Sequence, residues 1–236
     1  MTDASIASLA RQSGLMKALS VTANNIANAS TPGFKAEGTV FAEHVTRTGR
    51  TPSMSMGHLV AHDTDFTPGG LDGTGGTFDL AIDGEGFFKV QTPAGPRLTR
   101  AGAFTLDVDG LVVDPNGFPL VDGGGSPIEV PPEAKDVAIA RDGTMSIDGE
   151  AYADIGVFRP RGEPVRAGSN HWQAPNGDDL IEEPQVLQGF LERSNVSAVE
   201  AFAEMIATQR LFDAGQTLSQ QEHDRLSALI AAIRQE

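Results

Sequence analysis

A mainly β fold with one helix at each end of the chain is predicted by three observations. Asp-Gly and Asn-Gly pairs at 83–84, 109–110, 116–117, 142–143 and 148–149 separate short runs in which apolar residues alternate, the strongest local signal for hairpins. Residues 3–30 instead carry apolar residues seven apart, a helical stripe. Ser197 and Glu200 form a capping box ahead of a second apolar-periodic run, which starts a helix there. The fold class is therefore mixed and mainly β. A central all-β domain, a sandwich or open barrel, lies between N- and C-terminal helices that pair as a coiled coil. The expected divisions are a helix over 1–35, an extended linker or loop over 36–77, the β domain over 78–190 and a second helix over 191–236.

In the first segment, Leu9, Met16 and Ala23 are spaced by seven, and Leu19 and Ile26 repeat that spacing three residues further on. Gly14 inside the stripe weakens an isolated helix by about 1 kcal/mol relative to alanine. Alanine and serine fill the rest, so this helix needs a packing partner. It ends in ANNIANASTPGFK at 23–35. Asn24, Asn25 and Asn28 crowd the last turns, where their amides compete for backbone groups. Pro32 pushes Thr31 out of the helical region, and Gly33 can adopt a left-handed conformation. Asn24 and Asn28 share a face, and Asn25 lies close to it. The cluster reads either as a solvated helix end or as a polar seam that fixes register against another helix.

Between 36 and 77 the pattern is weak. Thr39-Val40-Phe41 suits a short strand, and the rest reads as extended segments and a long loop. His58 and His62 are four apart, but two histidines leave a zinc site short of ligands. From Phe78 onward, alternation and turns recur up to about residue 190. The Asp-Gly pairs do not make calcium loops: Asp107-Val108-Asp109-Gly110 lacks the third ligand and the closing glutamate. Gly84-Glu85-Gly86 lacks the third glycine and the Lys-Ser/Thr pair of a phosphate loop. Turn chemistry accounts for them all.

The final segment places Phe202, Met205, Ile206 and Phe212 at helical spacing, with Leu211 and Leu218 on a second line and Leu226, Leu229 and Ile233 beyond. Gly215 and the polar run from Ser219 to Arg225 predict a bend or fraying there.

Composition narrows the function. Net charge is -15, with +2 on residues 1–50 and -17 on the remainder. An acidic body argues against nucleic acid and against docking on anionic lipid. The 27 glycines, 14 prolines and 6% aromatics suit many turns and short strands. No cysteine is present, which removes disulfides, thiolate catalysis and cysteine metal sites. No run approaches the ~18 apolar residues of a membrane span, so direct membrane insertion is not expected. The opening MTDASIASLARQ lacks the basic and apolar regions of a cleavable secretory signal. A β-sandwich enzyme acting on glycans is the main chemical rival. Its best carboxylates, Glu182 and Glu183, are adjacent and cannot face each other across a cleft. His44, His171 and His223 are isolated in sequence and read as surface or satisfied core residues. No catalytic residue, cofactor or metal is expected.

Two amphipathic helices without a sequence-adjacent helical neighbour can bury their stripes only against each other or against other subunits. A head-to-tail interface that does not close yields a helical filament. The residues then become specific. ANNIANASTPGFK at 23–35, FDLAIDGEGFFKV at 78–90, LTRAGAFTLDVDGLVVDPNGFPLV at 98–121 and GFLERSNVSAVEAFAEMIATQRLFDAG at 189–215 resemble, in order, the signatures of the flagellar basal-body rod and hook family. Ser8 to Leu15 and the total length resemble its proximal-rod branch, with a distal-rod or hook subunit as the alternative. The resemblance implies a structural subunit of the periplasmic rod, assembling helically through its terminal helices to carry motor torque. It implies other flagellar rod proteins, copies of itself and the flagellar type III export apparatus as partners, and export without a cleaved signal. The expected interface residues are Leu9, Met16, Leu19 and Ile26 against Phe202, Ile206 and Phe212, within and between subunits, with Asn24, Asn25 and Asn28 bonding across subunits.

Overall fold

The structure, a computed structural model, describes residues 3–46 and 54–233; the side chains of 3–8, 40–46, 54–62, 226 and 229–233 lie outside the description. The chain divides into two compact units. One comprises Met1–Ala29, Lys35–Phe66 and Val196–Glu236, and the other Ser30–Phe34 and Thr67–Asn195. No described helix is long and apolar enough to cross a membrane.

The first, helical unit contains helix α1 (Asp3–Ala27), an antiparallel hairpin of strands β1 (Glu37–Thr46) and β2 (Met54–Thr64), and helix α2 (Ala198–Ile233). The hairpin occupies much of the segment expected to be a linker. Its sequence hid it because neither side of EGTVFAEHVT is consistently apolar, so the period-two signal is weak. A bulge shifts the register between Val40 and Phe41. His58 and His62 fall on β2 opposite Ala42 and Thr39, and their side chains lie outside the described residues.

Helix α1 packs against α2 and against both hairpin strands. Its inward face is Gly14, Ala18, Val21, Thr22 and Asn25, small or β-branched side chains at helical spacing that allow close approach. Thr22 returns its hydroxyl to the Ala18 carbonyl at 3.0 Å. Helix α2 begins where the capping box placed it, with the Glu200 N–H donating to Ser197 Oγ at 3.4 Å. It then continues unbroken through Gly215 and the polar run to Ile233, where a bend or fraying was expected. Side-chain bonds one turn apart support the polar stretch: Gln220 Nε2 donates to Asp224 Oδ1 at 3.0 Å, and Arg225 pairs with Glu222 at 3.4 Å.

The second, β unit is built on a six-stranded antiparallel sheet. In spatial order its strands are Val165–Arg166, His171–Gln173, Gly95–Thr99, Phe87–Thr92, Val157–Pro160 and Asp178–Leu180. A three-stranded sheet of Glu150–Asp154, Thr144–Ile147 and Val137–Ile139 accompanies it. Two-stranded ladders pair Leu80–Ile82 with Val186–Gln188 and Leu71–Gly73 with Phe190–Glu192. Many strands are only two to four residues long because turns interrupt them so often, and one extended sheet with small ladders takes the place of two full facing sheets.

The core gathers Leu80, Phe88, Val90, Leu120, Met145 and Val157, each at most 1% exposed. Phe88 and Phe104 meet edge to face at 5.5 Å. A second cluster holds Phe87 and Trp172 with ring centroids 5.7 Å apart. The carboxylates of the turns are spent on backbone: Asp107 Oδ1 accepts from the N–H groups of Asp109 and Leu111, both at 2.9 Å, and Asp114 Oδ1 from those of Asn116 and Phe118 at 2.9 and 2.8 Å.

Asp114 also receives an N–H from buried His171 at 2.8 Å. Burial works to raise the Asp114 carboxyl, but hydrogen bonds from His171, Phe118 and Asn116 outweigh it and hold the group below its ordinary value. A carboxyl depressed in the folded state stabilises the fold above its unfolded pKa, about 3.9. That contribution is lost as pH falls through the folded value. Urea unfolding followed by the fluorescence of the lone Trp172 should therefore show a stability loss below about pH 4 that is smaller in Asp114→Asn. An unchanged acid limb in that variant would contradict the assignment.

Candidate functional site

The seven apolar positions read as a packing set divide by exposure into four exposed and three half-buried. Leu9 and Met16 are 69% and 58% exposed, and Phe202 and Ile206 are 51% and 52% exposed. Leu9 and Met16 lie on the side of α1 opposite its inward face, a consequence of the 3.6-residue turn. Leu19, Ile26 and Phe212 are half-buried at the flanks. Within the chain, the packing expected of the seven-residue stripe is supplied by other residues: Ala18, Val21 and Thr22 on α1 and Ala201 on α2 are buried. Val199, Leu211 and Leu218 add further large apolar exposure along α2. Surfaces of this kind mark interaction sites.

The three asparagines also separate. Asn25 is buried and grips the start of β1: its Nδ2 donates to the Glu37 carbonyl at 2.7 Å, and its Oδ1 accepts the Glu37 N–H at 2.9 Å. One N–H and the carbonyl of that amide are used within the chain, so Asn25 locks the hairpin to α1. Asn28 Nδ2 donates to the Asn24 carbonyl at 2.9 Å and to Asn24 Oδ1 at 3.2 Å. That pair stays near the surface at the helix end.

The Ser30–Phe34 segment belongs to the β unit, where its breaker residues have a fixed seat. Gly33 has φ of 66°, and a Cβ there would lie 2.2 Å from the Arg100 carbonyl carbon, so only glycine fits. Its N–H donates to the Glu192 carbonyl at 2.7 Å. Phe34 is buried with the Arg166 guanidinium 4.8 Å from its ring centre, a cation–π contact. Asn170 Nδ2 donates to the Pro32 carbonyl at 3.1 Å.

Beside this seat lies a buried ion pair that the sequence did not single out. Arg100 Nη1 is 3.2 Å from Glu192 Oε2, with both side chains almost wholly buried. Arg100 also donates to the Gly84 carbonyl at 2.6 Å, and Glu192 Oε1 accepts the Gly69 N–H at 2.9 Å. Burial draws the Arg100 pKa down from its ordinary value while Glu192 pulls it back up. The available signal was an opposite pair of charges, each directly following a short apolar strand run, in LTR at 98–100 and FLE at 190–192. These residues position chain segments; no group of three or more metal-binding side chains occurs among the described residues.

Three family models match the chain in order. "Flagella basal body rod protein" covers residues 10–35, "Flagellar hook protein FlgE/F/G D1 domain" covers 81–147, and "Flagellar basal body rod FlgEFG protein C-terminal" covers 187–232. The flagellar basal-body rod protein FlgF of Caulobacter vibrioides is 36% identical over 221 residues, spanning 90% of both chains. FlgF of Rhizobium meliloti is 34% identical over 213 residues, 87% of both chains. The chain belongs to the flagellar basal-body rod proteins, of the FlgF type. The rod protein FlgG of Bacillus subtilis is 32% identical over 242 residues, covering 90% of this chain and 92% of its own. As a member of this family the chain is a structural subunit of the flagellar rod, and these relatives are named as rod proteins rather than enzymes. The matched N-terminal block of the rod family ends at Lys35, so it includes both the Asn25 lock and the Gly33 seat.

The Arg100–Glu192 pair yields a direct test. Glu192→Ala leaves Arg100 buried without its counter-charge, which costs about 3–5 kcal/mol. Urea unfolding read by Trp172 should show that loss, and adding Arg100→Met should recover part of it. A cost near zero for Glu192→Ala would remove the pair's structural role.

Proposed function

We propose that this rod subunit assembles through the outward faces of its two helices, pairing as coiled coils with copies of itself and with other rod proteins. The observation that carries this reading is the exposure of Leu9, Met16, Phe202 and Ile206 on a chain whose inward helix faces are already occupied. Leu19, Ile26 and Phe212 line the flanks of those faces. Asn24 and Asn28 offer a polar point that fixes register between neighbouring helices. An interface of this type that does not close on itself propagates as a helical rod, and a rod of interlocked helices transmits motor torque. The subunit works in the periplasmic rod and reaches it through the flagellar type III export apparatus. No cofactor enters this function.

Placing a charge on the outward face separates assembly from folding. Met16→Asp and Ile206→Asp, each in a strain lacking the gene, should leave the Trp172-monitored unfolding midpoint of the purified chain unchanged. The same variants should abolish rods in isolated basal bodies and swimming in soft agar. Normal rods with either variant would rule out the outward faces as the interface.

A further inference from the structure

The β unit has an open groove of about 600 Å³ that the helix surfaces do not account for. Two sheet edges contribute to it. Tyr152, Ala153 and Asp154 come from the edge strand of the three-stranded sheet, and Leu180 from the edge strand of the six-stranded sheet. Among the described residues each edge strand has a ladder partner on one side only, and such edges accept an added chain. Tyr152 and Leu180 remain 52% and 47% exposed. Four carboxylates also line the groove, those of Asp122, Asp142, Asp154 and Glu182. Among the described residues none of the four forms an ion pair; Asp122 and Asp142 accept hydrogen bonds from the backbone N–H groups of Ser126 at 2.7 Å and Thr144 at 3.0 Å. Apolar side chains ringed by uncompensated negative charge select a basic partner.

The chain itself carries such a segment. Strand β1 ends at Thr46 and β2 begins at Met54. The intervening residues, RTGRTPS, contain Arg47 and Arg50 and no acid. It adjoins and overlaps residues 1–50, which carry +2 against -17 for the rest. We propose that the groove receives the 47–53 segment of a second copy of this chain, with Arg47 and Arg50 among the four carboxylates. The contact ties the hairpin of one subunit to the β unit of its neighbour. It rests on the assembly of copies in the rod and adds a second, electrostatic interface to the helical one.

The absence of cysteine makes the test clean. Two single-cysteine variants with different tags, Thr48→Cys and Tyr152→Cys, are co-expressed in a strain lacking the gene, and basal bodies are isolated, imaged and oxidised. Each molecule has one thiol, so a heterodimer carrying both tags can only join two copies. The expected result is that heterodimer. It should fall at least tenfold when the Tyr152→Cys copy also carries Asp154→Arg and Glu182→Arg. It should return when the Thr48→Cys copy carries Arg47→Glu and Arg50→Glu. Intact rods without the heterodimer, a disulfide to a different rod protein only, or a yield indifferent to charge reversal would each overturn the proposal while leaving helical assembly standing. Absence of rods from a strain complemented with the unaltered chain would instead remove the assembly on which the proposal depends.

Discussion

The buried pair of Arg100 and Glu192 is the constraint on which the β unit depends. Glu192 accepts three times from separate parts of the chain: its carboxylate takes the Arg100 guanidinium and the Gly69 N–H, and its carbonyl takes the Gly33 N–H. Gly33, Gly69 and Glu192 lie close to the places where the chain passes from one compact unit to the other, four in all. One side chain and its own backbone thus tie Gly33, Gly69 and Arg100 together within the β unit. The glycines are required by this closeness. A Cβ on Gly69 would fall 1.9 Å from the Arg193 carbonyl oxygen, and one on Gly33 would strike the Arg100 backbone. Two ions removed from water are expensive. Here the cost is offset because each charge also bonds neutral backbone: Arg100 to the carbonyls of Gly84 and Ile82, Glu192 to Gly69.

The helical unit solves a different problem. Helix α1 turns its small residues inward and leaves Leu9 and Met16 outside. A monomeric protein would gain stability by reversing that arrangement, since each large apolar side chain moved out of water contributes about 1.5–3 kcal/mol. In the proposed assembly, the larger side chains left outside would supply that free energy to contacts between subunits. Asn25 then takes over part of the work of holding the unit together, by binding both backbone groups of Glu37. A directional amide does this without consuming apolar surface.

Much of the fold was legible because its signals were local. The capping box at Ser197, the repeated Asp-Gly turns and the seven-residue stripe each depend on neighbours within a few positions. The hairpin was not legible, since EGTVFAEHVT has no apolar side and its strands are recognised only by pairing with one another. The candidate site was legible as a set of residues, but the side of the helix that faces inward within the chain was not. Spacing by seven identified Leu9 and Met16 as a set, but periodicity cannot say which of two stripes on a helix faces inward. Gly14, Ala18, Val21 and Thr22 make an equally regular stripe of smaller residues, and that one is buried. The choice is made by the hairpin and α2, which the N-terminal sequence does not contain. Arg100 and Glu192 escaped notice for a related reason: 92 residues separate them, and nothing local marks either charge as buried.

The Asn24–Asn25–Asn28 cluster shows how one motif can serve both requirements. Asn25 faces inward and bonds both backbone groups of Glu37, whereas Asn24 and Asn28 bond along the helix and remain near the surface. An amide in a helix end is a poor choice for intrinsic stability, so three of them in five residues need a tertiary reason. For Asn25 that reason is Glu37. Asn24 and Asn28 bond to each other along the helix. Under the proposed assembly, polar groups beside exposed apolar ones would favour one alignment of a partner over its slipped alternatives. A rod requires such discrimination, because an error in the register of one subunit is inherited by every subunit added after it.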